Sequence, residues 1–203
     1  MKDAQSDPAE GRTNWRRFAL AAGIPALVAG GLVFGVATGA LAASFSISGT
    51  QFKLSADKLD GTGFSQYSGA LEKADGTKIP AAMSGIQKAK IYNLCQTVAA
   101  GPLVLRIEAG KDPDHPVEAA DLLIGMSELN GDATFKGIDI GQDASTLKKG
   151  GTDAHGGAGT FGQQADSVVI DGLRQQAYST SASTFKLTGM SLKLFVGNGK
   201  ECF

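Results

Sequence analysis

The pattern of apolar and polar positions divides the chain in two. From Phe18 to Ala43 no charged residue interrupts an apolar run, whereas from Phe45 onward apolar and polar residues alternate. As a helix, the run of about 26 residues would extend about 39 Å, against about 30 Å of bilayer hydrocarbon. The alternation that follows has the period of a β-strand with one face buried. Phe45 and Ile47 alternate with Ser46 and Ser48, Gly49-Thr50 shift the phase, and Phe52 and Leu54 continue it. A bulge or bend is expected at Gly49. Near the C-terminus the arrangement recurs at a constant offset: Phe185 and Leu187, a break at Gly189, then Leu192, Leu194 and Val196.

Further alternating runs cover Leu103 to Ile107 and Ala133 to Ile140, the latter broken at Gly137. The pairs Asp60-Gly61, Asp75-Gly76, Asn130-Gly131, Asp171-Gly172 and Asn198-Gly199 predict turns between antiparallel strands. A tetrapeptide Ala-Asp-x-apolar occurs at Ala56-Asp57-Lys58-Leu59, Ala120-Asp121-Leu122-Leu123 and Ala165-Asp166-Ser167-Val168. Its spacing is irregular, yet it suggests recurring strand units. The stretch Val117 to Leu129 also has helical spacing at Ala119, Leu122, Leu123 and Met126, so a short helix competes there with a strand. Gly110 to Pro116 and Lys148 to Thr160 are expected as exposed loops, the second loosened by Gly150, Gly151, Gly156, Gly157 and Gly159.

These features predict an all-β, mainly antiparallel fold, a curved sheet, a sandwich or a short solenoid, preceded by one N-terminal transmembrane helix. The expected organisation is a cytoplasmic segment at 1–17, an anchor or signal segment at 18–43, and an extracytoplasmic β-rich domain at 44–203. Arg12, Arg16 and Arg17 flank the apolar run on one side and no basic residue follows it until Lys53, so the N-terminus is placed inside and the domain outside. Ala40-Leu41-Ala42 has the small-x-small form of a signal-peptidase site, and cleavage after Ala42 would make the protein secreted. The reading adopted is a retained anchor in the cytoplasmic membrane. Within it Gly31, Gly35 and Gly39 form overlapping Gly-x-x-x-Gly units, a face on which anchors could pack and the chain self-associate.

Composition narrows the function classes. With 19 basic and 20 acidic residues the chain has a formal charge of −1, and four of the bases precede the apolar run. The β domain is therefore slightly acidic and offers no electrostatic case for nucleic acid. The two cysteines, Cys95 and Cys202, both follow the membrane segment, where an oxidising compartment would permit a disulfide closing a loop of about 107 residues.

Chemical motifs are sparse. No Gly-x-Ser-x-Gly elbow is present, and the nearest fragments, at Ser65, Ser127 and Ser191, lack the closing glycine. The two histidines lie in Asp-bearing loops, His115 after Asp112 and Asp114 and His155 after Asp153, without a full metal-ligand spacing. No phosphate-binding loop or Cys-x-x-Cys pair occurs. The sequence thus assigns no catalytic residue, no metal ligand, no cofactor and no ligand-binding residue.

The segments Phe45 to Phe64, Ile91-Tyr92-Asn93-Leu94-Cys95 and the ending Lys193 to Phe203 resemble an uncharacterised actinobacterial family of membrane-anchored exported proteins. Automated naming sometimes calls its members cholesterol esterases, a label the missing elbow does not support. The Ala-Asp-x-apolar strands also resemble the β-jellyroll repeats of lipid-transport proteins such as the lipopolysaccharide-transport group. Together these readings lead to the expectation of a non-enzymatic envelope protein that binds a lipid-like or apolar molecule, or a membrane-protein partner. A structural or assembly role is the alternative, and an ester hydrolase a distant third.

Overall fold

A computed structural model describes residues 47–203 apart from Asn198. The expected anchor at 18–43, its glycines Gly31, Gly35 and Gly39, and the Asn198-Gly199 turn position at Asn198 lie outside the described residues. Among the described residues no helix is long and apolar enough to cross a membrane.

Among the described residues nine strands form one antiparallel sheet, as the alternation predicts. Four are long: β1 (Phe52–Glu72), β2 (Lys78–Tyr92), β5 (Val117–Lys136) and β7 (Phe161–Ser181). The others are short: β3 (Leu94–Ala100), β4 (Leu103–Ala109), β6 (Asp139–Asp143), β8 (Thr184–Lys186) and β9 (Ser191–Val196). The helix considered for Val117 to Leu129 does not form. Val117, Ala119, Leu122, Ile124 and Met126 of β5 are all buried, and the segment pairs with β2 along Val117 to Met126.

The long strands close on themselves. β1 pairs with β2, β2 with β5, β5 with β7, and β7 returns to β1. Following paired residues around this ring leads from Ser68 to Ala82, Met126 and Ala177, and back to β1 at Phe52, near the opposite end of the strand from which the path began. So large a stagger requires the strands to run steeply across the barrel axis. A tilted strand occupies more of the circumference, and this widens a ring of four strands enough to hold side chains.

The interior is filled. Leu54, Leu59, Phe64, Ile86, Ile91, Leu122, Met126, Val168, Ile170 and Leu173 belong to one buried cluster. Between Leu54, Leu122, Leu173, Gln175, Thr180 and Phe185 only a void of about 10 Å³ remains, about the space of a single water. Among the described residues the barrel core is packed with side chains.

Strands this long and this coiled must bend, and the bends fall in two transverse rows. In the first, Gly63 of β1, Gln87 of β2, Asp121 of β5 and Asp166 of β7 stand in register, and each is skipped in the pairing ladders. Gly63 has φ +69° and Asp121 φ +48°. In the second row, Asp57 of β1 faces Gly172 of β7 at a gap in their ladder, beside Asn93 and beside the register shift that skips Gly131 in β5. Asn93 has φ +52° and Gly172 φ +62°. The recurring Ala-Asp-x-apolar tetrapeptide acquires a structural meaning here. Its aspartates, Asp57, Asp121 and Asp166, are the bend residues, with buried apolar neighbours resuming on the far side. Aspartate suits the position because its short side chain tolerates unusual backbone angles and accepts hydrogen bonds locally.

Three sequence expectations are corrected by this geometry. Asp60-Gly61, Asn130-Gly131 and Asp171-Gly172 are not hairpin turns but lie inside long strands. Gly61 is required by close packing, since a Cβ there would stand 2.9 Å from Ile86 Cγ2 and 3.0 Å from Val168 Cγ1. Asp75-Gly76 does form the β1–β2 turn.

The segment expected as a loosened loop, Lys148 to Thr160, is also different. Its first half packs into the first row of bends on the outside of the barrel. Lys149 Nζ lies 2.7 Å from Asp166 Oδ1, Thr152 N donates to Asp121 Oδ1, and the buried Ser65 hydroxyl donates to Ala154 O at 2.7 Å. Gly150 and Ala154 are buried. Gly150 is small for contact rather than for flexibility, because Ser65 occupies the place of its missing side chain. A second small core of Tyr67, Ala81, Met83, Ala144 and Leu147 extends this contact. Gly157 and Gly159 remain exposed.

Candidate functional site

Strands β3, β4 and β9 leave the ring beside the start of β1, in the order β1-β3-β4-β9. Strict alternation gives this extension two unlike faces. One carries the rows Leu54, Gln96, Ile107, Leu192 and Phe52, Val98, Leu105, Leu194, followed by Ala100, Leu103, Val196. Because Leu54 is buried in the barrel core, this apolar face continues the barrel interior. No ring strand covers its outer part: Leu103 is 39% exposed, Leu192 55%, Leu194 61% and Val196 80%. Patches of this kind on a folded domain commonly mark contact with a partner or a membrane.

The opposite face is polar and bears the C-terminal segment. Cys95 and Cys202 Sγ atoms stand 2.08 Å apart, at disulfide distance. Cys202 N donates to Thr97 Oγ1, and Lys53 Nζ meets both Glu201 Oε2 at 2.8 Å and the Phe203 carbonyl at 3.0 Å. Beside this staple, over the second row of bends, lies an open groove of about 750 Å³. Asp57, Asn93, Asn130, Arg106, Lys111 and Arg174 contribute its polar lining, with Cys95 and Cys202 in its wall.

The electrostatics of the groove are uneven. Glu108 is shared by two cations, Arg106 Nη2 at 2.8 Å and Lys111 Nζ at 3.2 Å. The Lys111 hydrogen bond is the main cause holding its carboxyl below the usual glutamate range, with Arg106 adding to it. Asp57 accepts from Asn93 Nδ2 at 3.0 Å. Arg106 Nε is buried with no hydrogen-bond partner. Arg174 contacts the Phe203 ring, Cζ 5.9 Å from its centroid, and makes no ion pair among the described residues.

A shallower depression of about 550 Å³ lies on the outside of β1, β2, β5 and β8. Its charges alternate across the strands, Asp60 opposite Lys90, Lys90 opposite Glu118 and Glu118 opposite Lys186. Lys186 Nζ reaches Glu118 at 3.3 Å. Opposite charges so placed across neighbouring strands are ordinary cross-strand neighbours on a solvated face.

The residues weighed from sequence alone do not converge. Ser65 is buried under the 148–154 segment. Ser127 donates to the Gln176 carbonyl and accepts from Gln51 Nε2, and Ser191 begins β9. His115 is paired with Asp112 at 2.9 Å on an exposed turn, and His155 lies in the other loop. Among the described residues no group of three or more His, Cys, Asp or Glu is arranged to hold a metal ion. Arg106 and Arg174, the cations of the groove, carried no sequence signal. Each is a single polar residue in an alternating strand, and only the pairing of β3 with β4 and of β7 with β1 brings them to one side.

No curated protein and no solved structure matches the chain. The match is instead to a family, over residues 48–203, nearly the whole β domain. The chain therefore belongs to the family of unknown function DUF6230.

Proposed function

We propose that this protein is a non-enzymatic, membrane-tethered envelope protein whose extracytoplasmic β domain binds lipid acyl chains on the open face of β3, β4 and β9. The observation that carries this reading is the exposed row Leu103, Leu192, Leu194 and Val196, which extends the barrel's apolar interior into solvent. A lipid is preferred as occupant for two reasons. Among the described residues the barrel interior is filled by side chains, and the uncharged run ending at Ala43 is separated by eight residues from β1, whose Phe52 pairs with Val98 in the same face. Burying such side chains is worth about 25 cal/mol per Å² of apolar surface.

The test is mass spectrometry of lipids that co-purify with the full chain from its native membrane. Bound lipid is expected in the wild type and is expected to be lost when Leu194→Asp and Val196→Asp are combined. Absence of lipid from every preparation, or retention by the double variant, would overturn the proposal. A variant-sensitive dimer without lipid would favour the assembly role instead.

A further inference from the structure

The two rows of bends make two creases on the outside of the barrel, and the described residues fill the first of them. In the first crease, bend residues Asp121 and Asp166 are met by donors from the chain itself, the Thr152 amide and the Lys149 ammonium. A Cβ on Gly63 would lie 2.3 Å from the Lys149 carbonyl oxygen, so the covering segment sits directly on the bend. The second crease is built on the same plan around Asp57, Asn93 and Gly172, but it remains an open groove of about 750 Å³. Its volume is that of a small-molecule site.

The second crease keeps a bend aspartate, Asp57, but differs from the first in the cations that line it. In the first the strands supply acceptors and the covering segment supplies donors. Here Arg106, Lys111 and Arg174 supply donors, while of the two acids in the lining Glu108 is held by two cations and Asp57 accepts from Asn93 Nδ2 at 3.0 Å. Arg174 has no carboxylate partner among the described residues, and the Arg106 Nε is buried without one. Asn93, Asn130 and Ser55 add neutral polar groups along the rim. The occupant that completes such a surface is rich in acceptors. Guanidinium groups bind planar or tetrahedral oxyanions through paired N–H donors.

The geometry points to the second crease as a binding site for an oxyanion, phosphate or carboxylate, carried on a small hydroxyl-bearing body, with Arg174 as the principal ligand and Arg106 lining the same groove. The site lies on the polar side of the sheet extension, on the other side from the acyl-binding face, and does not depend on it. The same chemistry is offered by a soluble polyol phosphate and by a phosphatidylglycerol headgroup.

Calorimetric titration of the full chain in zwitterionic detergent with glycerol 1-phosphate, and of the chain in nanodiscs of phosphatidylcholine with or without phosphatidylglycerol, separates the two sources. Glycerol 1-phosphate binding that weakens about tenfold or more in Arg174→Ala, the scale expected for losing a hydrogen bond to a charged group, supports a soluble ligand. An Arg174-dependent response only to phosphatidylglycerol supports a headgroup. Arg174→Lys should recover part of the affinity, and Lys186→Ala, in the separate depression, should leave binding unchanged. Leu194→Asp should leave glycerol 1-phosphate binding unchanged, so the groove and the acyl-binding face can fail separately. Equal binding by wild type and Arg174→Ala, or no response to either probe, would overturn the inference. Because Arg174 is exposed, its removal should not unfold the barrel.

Discussion

Gly63 of β1 and Lys149 of the covering segment meet so closely that a Cβ at residue 63 would lie 2.3 Å from the Lys149 carbonyl oxygen. The bend and its cover were shaped together. Gly63 also has φ +69°, where a side chain is strained. Gly63→Ala is therefore expected to combine backbone strain with displacement of the cover, at a cost of about 2–4 kcal/mol. Urea denaturation should show the loss, and amide exchange should rise across 148–154.

Gly172 provides the contrast. Its φ is +62°, but a Cβ there would meet nothing within 4 Å, because the second crease is open. Gly172→Ala should cost only the conformational term, about 1 kcal/mol. If the two alanine variants were equally destabilised, the second crease would be as filled as the first.

The disulfide ties the C-terminal segment to β3 across a sequence separation of 107 residues. Replacing both Cys95 and Cys202 by serine is expected to lower stability by about 2–5 kcal/mol. Reductant added to the wild type should reproduce the shift in denaturation midpoint.

Acid should loosen the same region. The folded-state pKa of Glu108 lies below its ordinary value, chiefly through the Lys111 hydrogen bond. Its stabilising contribution is therefore present above the unfolded-state pKa and is lost as pH falls through the lower folded value. Thermal melts from pH 6 to pH 3 should decline below about pH 4.3, the ordinary glutamate value. Glu108→Gln should flatten part of that slope, and an unchanged slope would show the ion pairs to be solvent-screened.

The exposed residues of β9 should matter little to folding. Leu194 is 61% and Val196 80% exposed, so Leu194→Asp and Val196→Asp should each change stability by no more than about 0.5 kcal/mol. Circular-dichroism melts check this, and a large loss would mean that the apolar face is covered from within the domain.

Much of the strand content was legible because alternation is a local property. Leu103 to Ile107, Phe185 and Lys186, and Leu192 to Val196 lie in strands where apolar and polar residues take turns, with Gly189 at the break. Val117 to Leu129 stayed ambiguous because a bend at Asp121 shifts its buried positions from Ala119 to Leu122, a spacing of three that imitates a helix. The Asp-Gly and Asn-Gly pairs misled for a related reason. They mark backbone that needs unusual angles, and a steeply tilted strand needs such angles in its middle as much as a hairpin does at its end. The candidate groove was not legible, since Arg106 and Arg174 lie in different strands with no common motif.

The sequence by itself determined which segments could be strands, that two cysteines follow the apolar run, and that aspartate recurs beside buried alanine. These are properties of near neighbours along the chain. Only the tertiary structure decided that four strands close with so large a stagger that Ser68 leads around to Phe52, that the bends align into two creases, and that one crease is filled while the other is open. Strand register depends on pairings between residues far apart in sequence, and it is chosen by how all four strands bury their apolar faces together.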